Sequence, residues 1–301
     1  MARPGHVLAL LKMTLSVDAA KRPSRYSWFK RVDSFTMTSS APRPSHLRLM
    51  YVLAHPDDES LGAGGTLAKY SQEGVETCVV TATRGERGRF GDAPESPGPE
   101  VVGRAREAEL RCAAKALGVR EVAFLDYLDG DLDRAPVAPA AEKIAAHLRR
   151  VRPHVVCTFA PDGAYGHPDH IAISQLTGAA IVLAADTHRV SKFYYFVHSE
   201  TRWATYQAAL KKLGMKVDGV ERSAVSWPDW EITTVIDAVD VWPTVWRAVQ
   251  CHKTQMSIYK NFGALSDADQ KRLWGRWEFY RVFSLVNGGR RQESDLFEGL
   301  R

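Results

Sequence analysis

Two short segments of the chain carry more ionisable side chains than a buried core or a plain turn requires. Residues 54–60 read AHPDDES and follow an apolar run at 47–53. Residues 160–170 read APDGAYGHPDH and follow another apolar run at 153–159. Removing charged groups from water costs free energy unless they are paired or bind a metal or ligand. Both segments are therefore candidate functional sites.

The imidazole and carboxylate groups of these segments are typical ligands of a divalent transition metal. His55 and Asp58 lie three residues apart on one turn, and His170 comes from the second segment. Two imidazoles and one carboxylate leave a coordination position for water, as in catalytic zinc sites. A closed structural zinc site usually contains thiolates, and neither segment contains a cysteine. Further polar groups in the two segments are Asp57, Glu59, Tyr165, His167 and Asp169.

Each segment taken singly has a simpler explanation. A histidine in a loop is usually solvated or caps a helix, and an aspartate before a helix is usually its N-cap. Pro168 also suits the first position of a helix. The metal site is favoured only if the two segments meet, which depends on the elements that carry them.

Strand and helix patterns alternate from residue 47 to about residue 200. This alternation predicts βαβ units and a parallel sheet with helices on both faces. Right-handed crossovers then favour a doubly wound, Rossmann-like α/β fold. The predicted strands are 47–54, 75–81, 122–125, 153–159 and 192–197, and the predicted helices are 61–73, 101–117, 138–151 and 168–185.

The two charged segments follow the first and the fourth predicted strands. In the common doubly wound strand order 3-2-1-4-5 these strands are neighbours, and the gap between them is where such sheets bind ligands. We therefore expect the two segments to face each other across one crevice, although they are far apart in sequence.

The sequence changes character after about residue 200. Seven of the eight tryptophans lie in this part, where the periodicity is also less regular. We predict one domain over residues 47–301, in which a C-terminal portion, 201–301, packs on a Rossmann-like core, 47–200. Most of the tryptophans fit core packing, and one or two could line a cleft and stack on a sugar. The elements expected there are a strand near 232–236 and helices near 240–252 and 269–281.

The basic charge of the chain lies in residues 1–46. These carry eight Lys and Arg against two Asp, whereas the whole chain has a formal net charge of +5, so the remainder is close to neutral. The remainder shows no basic stripe of the kind that binds nucleic acid. The basic segment is a disordered or mis-started terminus with Met37 or Met50 as later starts, a targeting segment, or a polyanion-binding arm, and we favour the first.

Composition also indicates in which cellular compartment the protein is expected. No run approaches the roughly 20 apolar residues that a membrane-spanning helix needs. The four cysteines form no C-x-x-C pair and are expected to be reduced thiols of a cytoplasmic protein. Homo-oligomerisation is left open. The cysteines are Cys78, Cys112, Cys157 and Cys251.

Taken together, AHPDDE after the first strand and HPDH after the fourth resemble the motifs of the zinc-dependent de-N-acetylases of the LmbE-like or PIG-L-like group. The resemblance extends from about residue 47 to the C-terminal helices. It implies a hydrolase that removes the acetyl group from a small-molecule conjugate of N-acetylglucosamine or a related N-acyl amino sugar. It also implies Zn²⁺ as the cofactor, with another divalent transition metal such as Fe²⁺ as the alternative. The other half of the substrate stays open among inositol, malate, glycolipid, chitooligosaccharide and antibiotic conjugates.

The same resemblance implies roles residue by residue. In TRGERG after the second strand and DYLDGDL after the third, Arg84 and Asp129 match substrate contacts. HKTQ at 252–255 resembles the family's His-x-Ser-Gln with Thr254 in place of Ser, so His252 is a further substrate-binding candidate or else a histidine on a helix surface. The roles implied for the two charged segments are metal ligation by His55, Asp58 and His170, base catalysis by Asp57, and oxyanion stabilisation by His167 and Tyr165.

Three other functions are weighed against this one. His55 and Asp57 with His170 also fit the triad of non-haem iron oxygenases, although those usually have a jelly-roll fold. The glycines at 62–65 follow a strand as in dinucleotide-binding proteins, but Leu67 occupies the place of the third glycine. A non-catalytic sugar-binding relative would have lost a ligand or the base, and none is lost here.

Overall fold

The strands form one large sheet and one hairpin in the described part of the chain. The computed structural model describes residues 46–210, 214–217 and 219–301. The predictions for residues 1–46, apart from His46, therefore lie outside the described residues. The strands are β1 (Arg48–Leu53), β2 (Glu76–Thr83), β3 (Glu121–Tyr127), β4 (Val155–Phe159), β5 (Lys192–Val197), β6 (Gly214–Val217), β7 (Val220–Ser223), β8 (Thr234–Asp237) and β9 (Arg276–Ser284).

The large sheet has the order β3-β2-β1-β4-β5-β9-β8, and β6 pairs with β7. Strands β1 to β5 run parallel in the predicted order, and β9 runs antiparallel to both β5 and β8. Tyr51 of β1 lies opposite Val79 of β2 and Cys157 of β4. Residues 49–53 are all fully buried, as expected of a central strand covered on both faces. The predicted fold class is therefore confirmed.

Helices connect the strands and surround the sheet. The helix after β2 begins at Pro99 and ends before Gly118, whose φ of 74° is the left-handed conformation that ends many helices. Among the described residues, no helix is long and apolar enough to cross a bilayer. The helices are α1 (Asp58–Leu61), α2 (Gly64–Gln72), α3 (Pro99–Leu117), α4 (Val137–Val151), α5 (Gly163–Gly166), α6 (Pro168–Ala184), α7 (Glu200–Leu210), α8 (Trp242–Val249), α9 (Met256–Gly263) and α10 (Asp267–Trp274).

The glycines at 62–65 allow close packing of the first helices. A Cβ at Gly65 would overlap the ring of Trp277 in β9, and a Cβ at Gly64 would lie 2.9 Å from Val245 in α8. A larger residue at either position would push these elements apart. Close packing therefore explains these glycines. This agrees with Leu67, which occupies the place of the third glycine of a dinucleotide-binding motif.

The C-terminal portion is part of the large sheet, because β9 and β8 extend it beyond β5. The strand expected near 232–236 is β8, and the helix expected near 240–252 is the shorter α8. Trp274 and Trp277 are almost fully buried, in agreement with core packing, whereas Trp230 is 83% exposed. The helix α7 and the hairpin of β6 and β7 have no counterpart among the predicted elements.

The helix predicted over 269–281 is wrong beyond Trp274, because residues 276–284 form β9. The aromatic and β-branched residues of β9 suit a strand paired on both sides, and Phe279 is fully buried there. A Cβ at Gly275 would lie 2.5 Å from the Lys271 carbonyl oxygen, so the helix ends at a position where only glycine fits.

The expectation of four reduced thiols is also wrong. Cys112 of α3 and Cys251, just after α8, form a disulfide with their Cα atoms 5.8 Å apart. The two residues are 139 positions apart, so no local spacing indicates the pair. Cys78 and Cys157 are buried free thiols, and burial raises the pKa of Cys78 to about 12.

Candidate metal centre and active site

The two charged segments meet at the carboxyl ends of adjacent strands. β1 pairs with β4; His55 lies in the loop after β1, and His170 lies in the first turn of α6, which follows β4. His55 Nδ1 lies 3.2 Å from His170 Nε2, although the two residues are 115 positions apart. Both side chains are buried. The strand order thus brings together the residues that the sequence analysis expects at one site.

Asp58 adds a third donor beside the two imidazoles. Its Oδ1 lies 3.6 Å from His170 Nε2, and its Oδ2 lies 3.9 Å from His55 Nδ1. Ligands of a tetrahedral zinc ion, at about 2.0–2.1 Å from the metal, lie about 3.3 Å from one another. The three side chains therefore fit a divalent metal ion in donor chemistry, and a different Asp58 oxygen lies near each of the two histidines.

Among the described residues, two groups of three potential ligands have their donor atoms within 4.8 Å of one another, and both contain His55. One contains His167 and His170, and the other contains Asp129 and Asp169. His55 Nε2 lies 3.1 Å from both of these carboxylates. Because Nδ1 faces His170, the carboxylates at Nε2 are placed to accept its hydrogen bond and to orient the ring, as outer partners of metal-binding histidines usually do.

Burial and hydrogen bonds set the protonation of the two histidines. Burial lowers the pKa of His170 well below its usual range, and its Nδ1 donates to the Gly163 carbonyl oxygen at 3.2 Å. Neutral His170 therefore presents the Nε2 lone pair. Burial also lowers the pKa of His55, but hydrogen bonds to Asp129 and Asp169 outweigh it, and the net shift is well upward. A metal ion at Nδ1 would displace that extra proton.

Asp58 is held by the backbone at the end of β1. Its Oδ2 accepts hydrogen bonds from Ala54 N at 3.1 Å and His55 N at 2.8 Å. Burial raises the pKa of Asp58 to about 7, against the opposing effect of the charge on His55. A cation beside this carboxyl would favour its ionised, ligating form.

The two residues matched to oxyanion stabilisation lie between β4 and the body of α6, Tyr165 in α5 and His167 at the N-cap of α6. The His167 ring stacks on His170 with centroids 4.8 Å apart and meets His55 edge-on at 4.7 Å. His167 Nδ1 accepts a hydrogen bond from Asp169 N at 3.1 Å, which leaves Nε2 as the donor of the neutral ring. The Tyr165 ring lies 5.2 Å from His170, and burial keeps its hydroxyl protonated by raising its pKa well above the usual range.

Two of the predicted substrate contacts have different surroundings. Arg84 donates to Glu107 and Asp126 at 2.6 Å each, and neither partner belongs to the histidine cluster. Asp129 lies against the His55 ring and is 8% exposed. Of the two, Asp129 is therefore the one that the structure brings to the candidate metal site.

His252 is fully buried, so it is not a helix-surface histidine. Its Nε2 lies 2.7 Å from Glu59 Oε1, and Glu59 is fully buried as well. Burial alone would lower the pKa of His252 and raise that of Glu59, but their mutual attraction outweighs burial, so that the pKa of His252 is raised and that of Glu59 is lowered. Direct contact between His252 and a substrate would require this pair to become exposed.

Asp57 has an unusual backbone and two partners that the sequence analysis does not identify. Its φ of 106° lies in the left-handed region, which costs a non-glycine residue about 1–3 kcal/mol. Its carboxylate contacts Arg106 and Tyr259, which are 49 and 202 positions away. No spacing rule links residues so distant, so only the folded structure reveals these contacts.

The comparisons with known sequences agree on one family. Residues 50–181 match the PIG-L family, described as GlcNAc-PI de-N-acetylase. A 1D-myo-inositol 2-acetamido-2-deoxy-alpha-D-glucopyranoside deacetylase of Kineococcus radiotolerans is 34% identical over 301 residues, covering 84% of this chain and 83% of that protein. The protein of the same name from Thermomonospora curvata is 34% identical over 292 residues, covering 84% of this chain and 97% of that protein.

Solved structures share the fold. An N,N'-diacetylchitobiose deacetylase from Pyrococcus horikoshii has a TM-score of 0.54 and 20% identity, covering 73% of this chain and 75% of that one. GalB, the 4-carboxy-2-hydroxymuconate hydratase from Pseudomonas putida KT2440, has a TM-score of 0.59 and 21% identity, covering 81% and 99%. At these identities the comparison shows a shared fold only, and the two proteins with this fold are named for different reactions. The sequence relatives match most of the length of this chain and show that it belongs to the PIG-L family of de-N-acetylases.

Proposed function

We propose that this chain is a Zn²⁺-dependent amide hydrolase that removes the acetyl group from 1D-myo-inositol 2-acetamido-2-deoxy-alpha-D-glucopyranoside. Family membership already makes it a deacetylase of N-acetylglucosamine-type substrates. The inositol conjugate is proposed because both relatives carry it in their names, at 34% identity over 84% of this chain. The observation that carries the proposal is the convergence of His55, Asp58 and His170, with Asp57 next in sequence.

His55, Asp58 and His170 are the residues that would hold the metal ion. Two imidazole nitrogens and one carboxylate suit Zn²⁺, and Fe²⁺ is the alternative. When bound, the ion would lower the pKa of a water molecule from about 15.7 toward about 7 and polarise the acetyl carbonyl. The same donors would also suit an iron oxygenase, but the α/β fold and the family favour hydrolysis.

Asp57 is proposed as the general base. It takes a proton from the water that attacks the acetyl carbonyl carbon, and it returns this proton to the sugar nitrogen as the C–N bond breaks. The water oxygen ends in acetate, and the nitrogen leaves as the free amine. His167 and Tyr165 are proposed to donate hydrogen bonds to the carbonyl oxygen while it gains negative charge.

Arg84 and Asp129 are proposed as contacts of the sugar conjugate. Both follow strands of the same sheet, Arg84 directly after β2 and Asp129 after β3, on the side where ligands bind in such folds. Asp129 is the nearer of the two to the histidine cluster. Its carboxylate would accept a hydrogen bond from a sugar hydroxyl, and Arg84 would act at a greater distance from the acetyl group.

We also propose a cytoplasmic location, a small-molecule substrate and no nucleic-acid partner, with the oligomeric state open. A polar sugar conjugate is a typical substrate of a cytoplasmic enzyme, and the described part of the chain contains no helix that could span a membrane. The Cys112–Cys251 disulfide is the observation against the cytoplasm, where disulfides are rare. Thiol titration of the protein as it is isolated from cells tests this location.

The substrate is tested by acetate release from a panel of conjugates. The purified full chain, loaded with Zn²⁺, is assayed with N-acetylglucosamine linked to inositol, to malate, to phosphatidylinositol and to a second N-acetylglucosamine. We expect the highest kcat/KM for the inositol conjugate and loss of activity on chelation. Higher kcat/KM for another conjugate would reassign the substrate, and no acetate from any conjugate would refute the proposed reaction.

A further inference from the structure

Within the described part of the chain, side chains from two distant helices hydrogen-bond to the same carboxylate oxygen of Asp57. Arg106 of α3 donates from Nη2 to Asp57 Oδ2 at 2.9 Å. Tyr259 of α9 donates its hydroxyl to the same Oδ2 at 2.7 Å. Neither of these hydrogen bonds involves Oδ1. The two contacts fix the rotation of the carboxylate about its bond to Cβ.

Arg106 is itself fixed by the protein backbone. It is 4% exposed, and its guanidinium donates to the Pro56 carbonyl oxygen at 2.5 Å and to the Gly85 carbonyl oxygen at 3.0 Å. Side chains at Gly85 and Gly88 would overlap the guanidinium, so two glycines make room for it. A buried guanidinium needs an anionic partner, and Asp57 supplies one. Arg106 therefore links Asp57 and its own loop, through Pro56, to the loop after β2, through Gly85.

A second pair of residues holds the backbone of Asp57. Asp57 N donates to Glu59 Oε2 at 2.9 Å, and Glu59 Oε1 lies 2.7 Å from His252 Nε2. Residues with a left-handed backbone persist only where their surroundings over-determine them, and such residues cluster at functional sites. The pair of Glu59 and His252 thus supports the backbone, while Arg106 and Tyr259 support the side chain.

We propose that Arg106 and Tyr259 are positioning residues of the reaction, which occupy Oδ2 of Asp57 so that Oδ1 is the oxygen that takes the proton from water. This inference rests on the proposed function, in which Asp57 is the base. A carboxylate free to rotate would present either oxygen and would meet the water in the right geometry for less of the time. Displacement of a reacting group by about 1 Å can cost a hundredfold in rate. In this arrangement α3 and α9 serve the reaction without touching the substrate.

Tyr259→Phe tests the proposal with the smallest change, because it removes only the hydroxyl. We expect kcat to fall by about tenfold to a hundredfold, the range for a lost hydrogen bond to a charged group, while KM and zinc content stay near wild type. Tyr70→Phe is the matched control, since the hydroxyl of this buried tyrosine also donates to an aspartate, Asp295, at 2.9 Å, and neither residue belongs to the proposed site. An equal effect of both substitutions on kcat would overturn the proposal.

Arg106 is tested with a conservative and a disruptive variant. Arg106→Lys keeps the charge but not the fork of donors, so kcat should fall while zinc content stays. Arg106→Ala should lose more activity, and added guanidinium ion at millimolar concentration should restore part of it. Arg202→Lys is the control, because Arg202 is equally buried and its guanidinium donates to Tyr206 and Leu273 and, within the described part of the chain, not to Asp57. Wild-type kcat for Arg106→Lys, or the same loss for Arg202→Lys, would contradict the role.

A structural readout separates this inference from the proposed function. Crystal structures of the wild type and Tyr259→Phe should show the Asp57 carboxylate rotated or in two orientations in the variant only. An unchanged carboxylate would refute the positioning role, whatever the substrate proves to be. If instead the wild type releases no acetate, or Asp57→Asn retains full activity, the proposed function fails and the crystallographic comparison still decides whether Asp57 is held as described.

Discussion

At the scale of single residues, two adjacent acids have different surroundings. Asp58 accepts hydrogen bonds from backbone N–H groups and faces His170. The carboxylate of Asp57 is instead held by the side chains of Arg106 and Tyr259. These different environments suit the roles proposed for them, because a ligand must stay on the metal while a base must exchange a proton.

We predict that substitution separates the two roles. Asp58→Ala leaves two histidines and should bind zinc much more weakly. Asp57→Asn keeps the shape of the side chain and all three proposed ligands, but an amide cannot take a proton. Zinc content should therefore stay near wild type while kcat falls by about 10²–10⁴-fold, the usual range for a lost acid–base group. Metal analysis beside acetate-release kinetics checks both variants.

Two outcomes would contradict these assignments. Loss of zinc in Asp57→Asn with retention in Asp58→Ala would exchange the two roles. Retention of both zinc and activity in both variants would place the site elsewhere in the chain.

At the scale of elements, Glu293 joins the C-terminal segment to the edge of the sheet. Its carboxylate accepts hydrogen bonds from Lys192 and Tyr194 of β5 at 2.6 and 2.7 Å, and from Thr234 of β8 at 2.7 Å. Burial raises the pKa of Glu293, but these hydrogen bonds outweigh it and bring the pKa to about 2. The ionised form is therefore the one that stabilises the folded sheet.

This pKa predicts how stability depends on pH. Because the folded-state pKa lies below the unfolded value of about 4.3, the contribution of Glu293 is complete above that value and is lost as the pH falls toward about 2. Glu293→Gln should thus be less stable than wild type at pH 7, and the difference should shrink below about pH 4. Denaturant unfolding at pH 7, 4 and 3 measures it.

Glu95→Gln is the control for this prediction, since Glu95 is exposed and the substitution makes the same change in net charge. Its difference from wild type should be small at every pH. A Glu293→Gln difference that is constant between pH 7 and 3 would mean that the carboxylate contributes by packing and not by its charge.

At the scale of the whole molecule, the Cys112–Cys251 disulfide joins two distant parts of the chain. It links α3, which carries Arg106, to the residue before His252. Arg106 contacts the carboxylate of Asp57, and His252 supports Asp57 through Glu59. The disulfide therefore fastens together the two elements that hold the proposed base.

We predict that the disulfide contributes measurably to stability. A cross-link between residues this far apart typically contributes about 2–4 kcal/mol. Cys112→Ser should lower Tm, and a reductant should lower the Tm of the wild type toward that of the variant. The reductant should leave the Tm of Cys112→Ser unchanged, so this variant is the control for other effects of the reductant. Four free thiols in the mass spectrum of the unreduced wild type would refute the disulfide.

The sequence by itself determined the five parallel strands, their order around the site and the two charged segments that meet there. These features follow from local patterns, because apolar runs, helix ends and strand-end loops are encoded within a few residues of one another. The order 3-2-1-4-5 then placed His55 and His170 at adjacent strand ends, and both motifs belong to the family that the relatives show. The helix predicted over 269–281 is wrong beyond Trp274, where the strand β9 follows the helix α10 directly. Residues 276–284 form a strand because they pair with β5 and β8, and this pairing is not visible in the local sequence.

Only the tertiary structure decided which side chains surround the site. Arg106 and Tyr259 reach Asp57 across 49 and 202 residues, and Cys251 reaches Cys112 across 139. Such pairs depend on how helices pack against the sheet, and a contact between distant residues leaves no spacing in the sequence. His252 shows the same limit, because a histidine after a helix is equally compatible with solvent and with the buried carboxylate of Glu59, and packing alone selects the carboxylate.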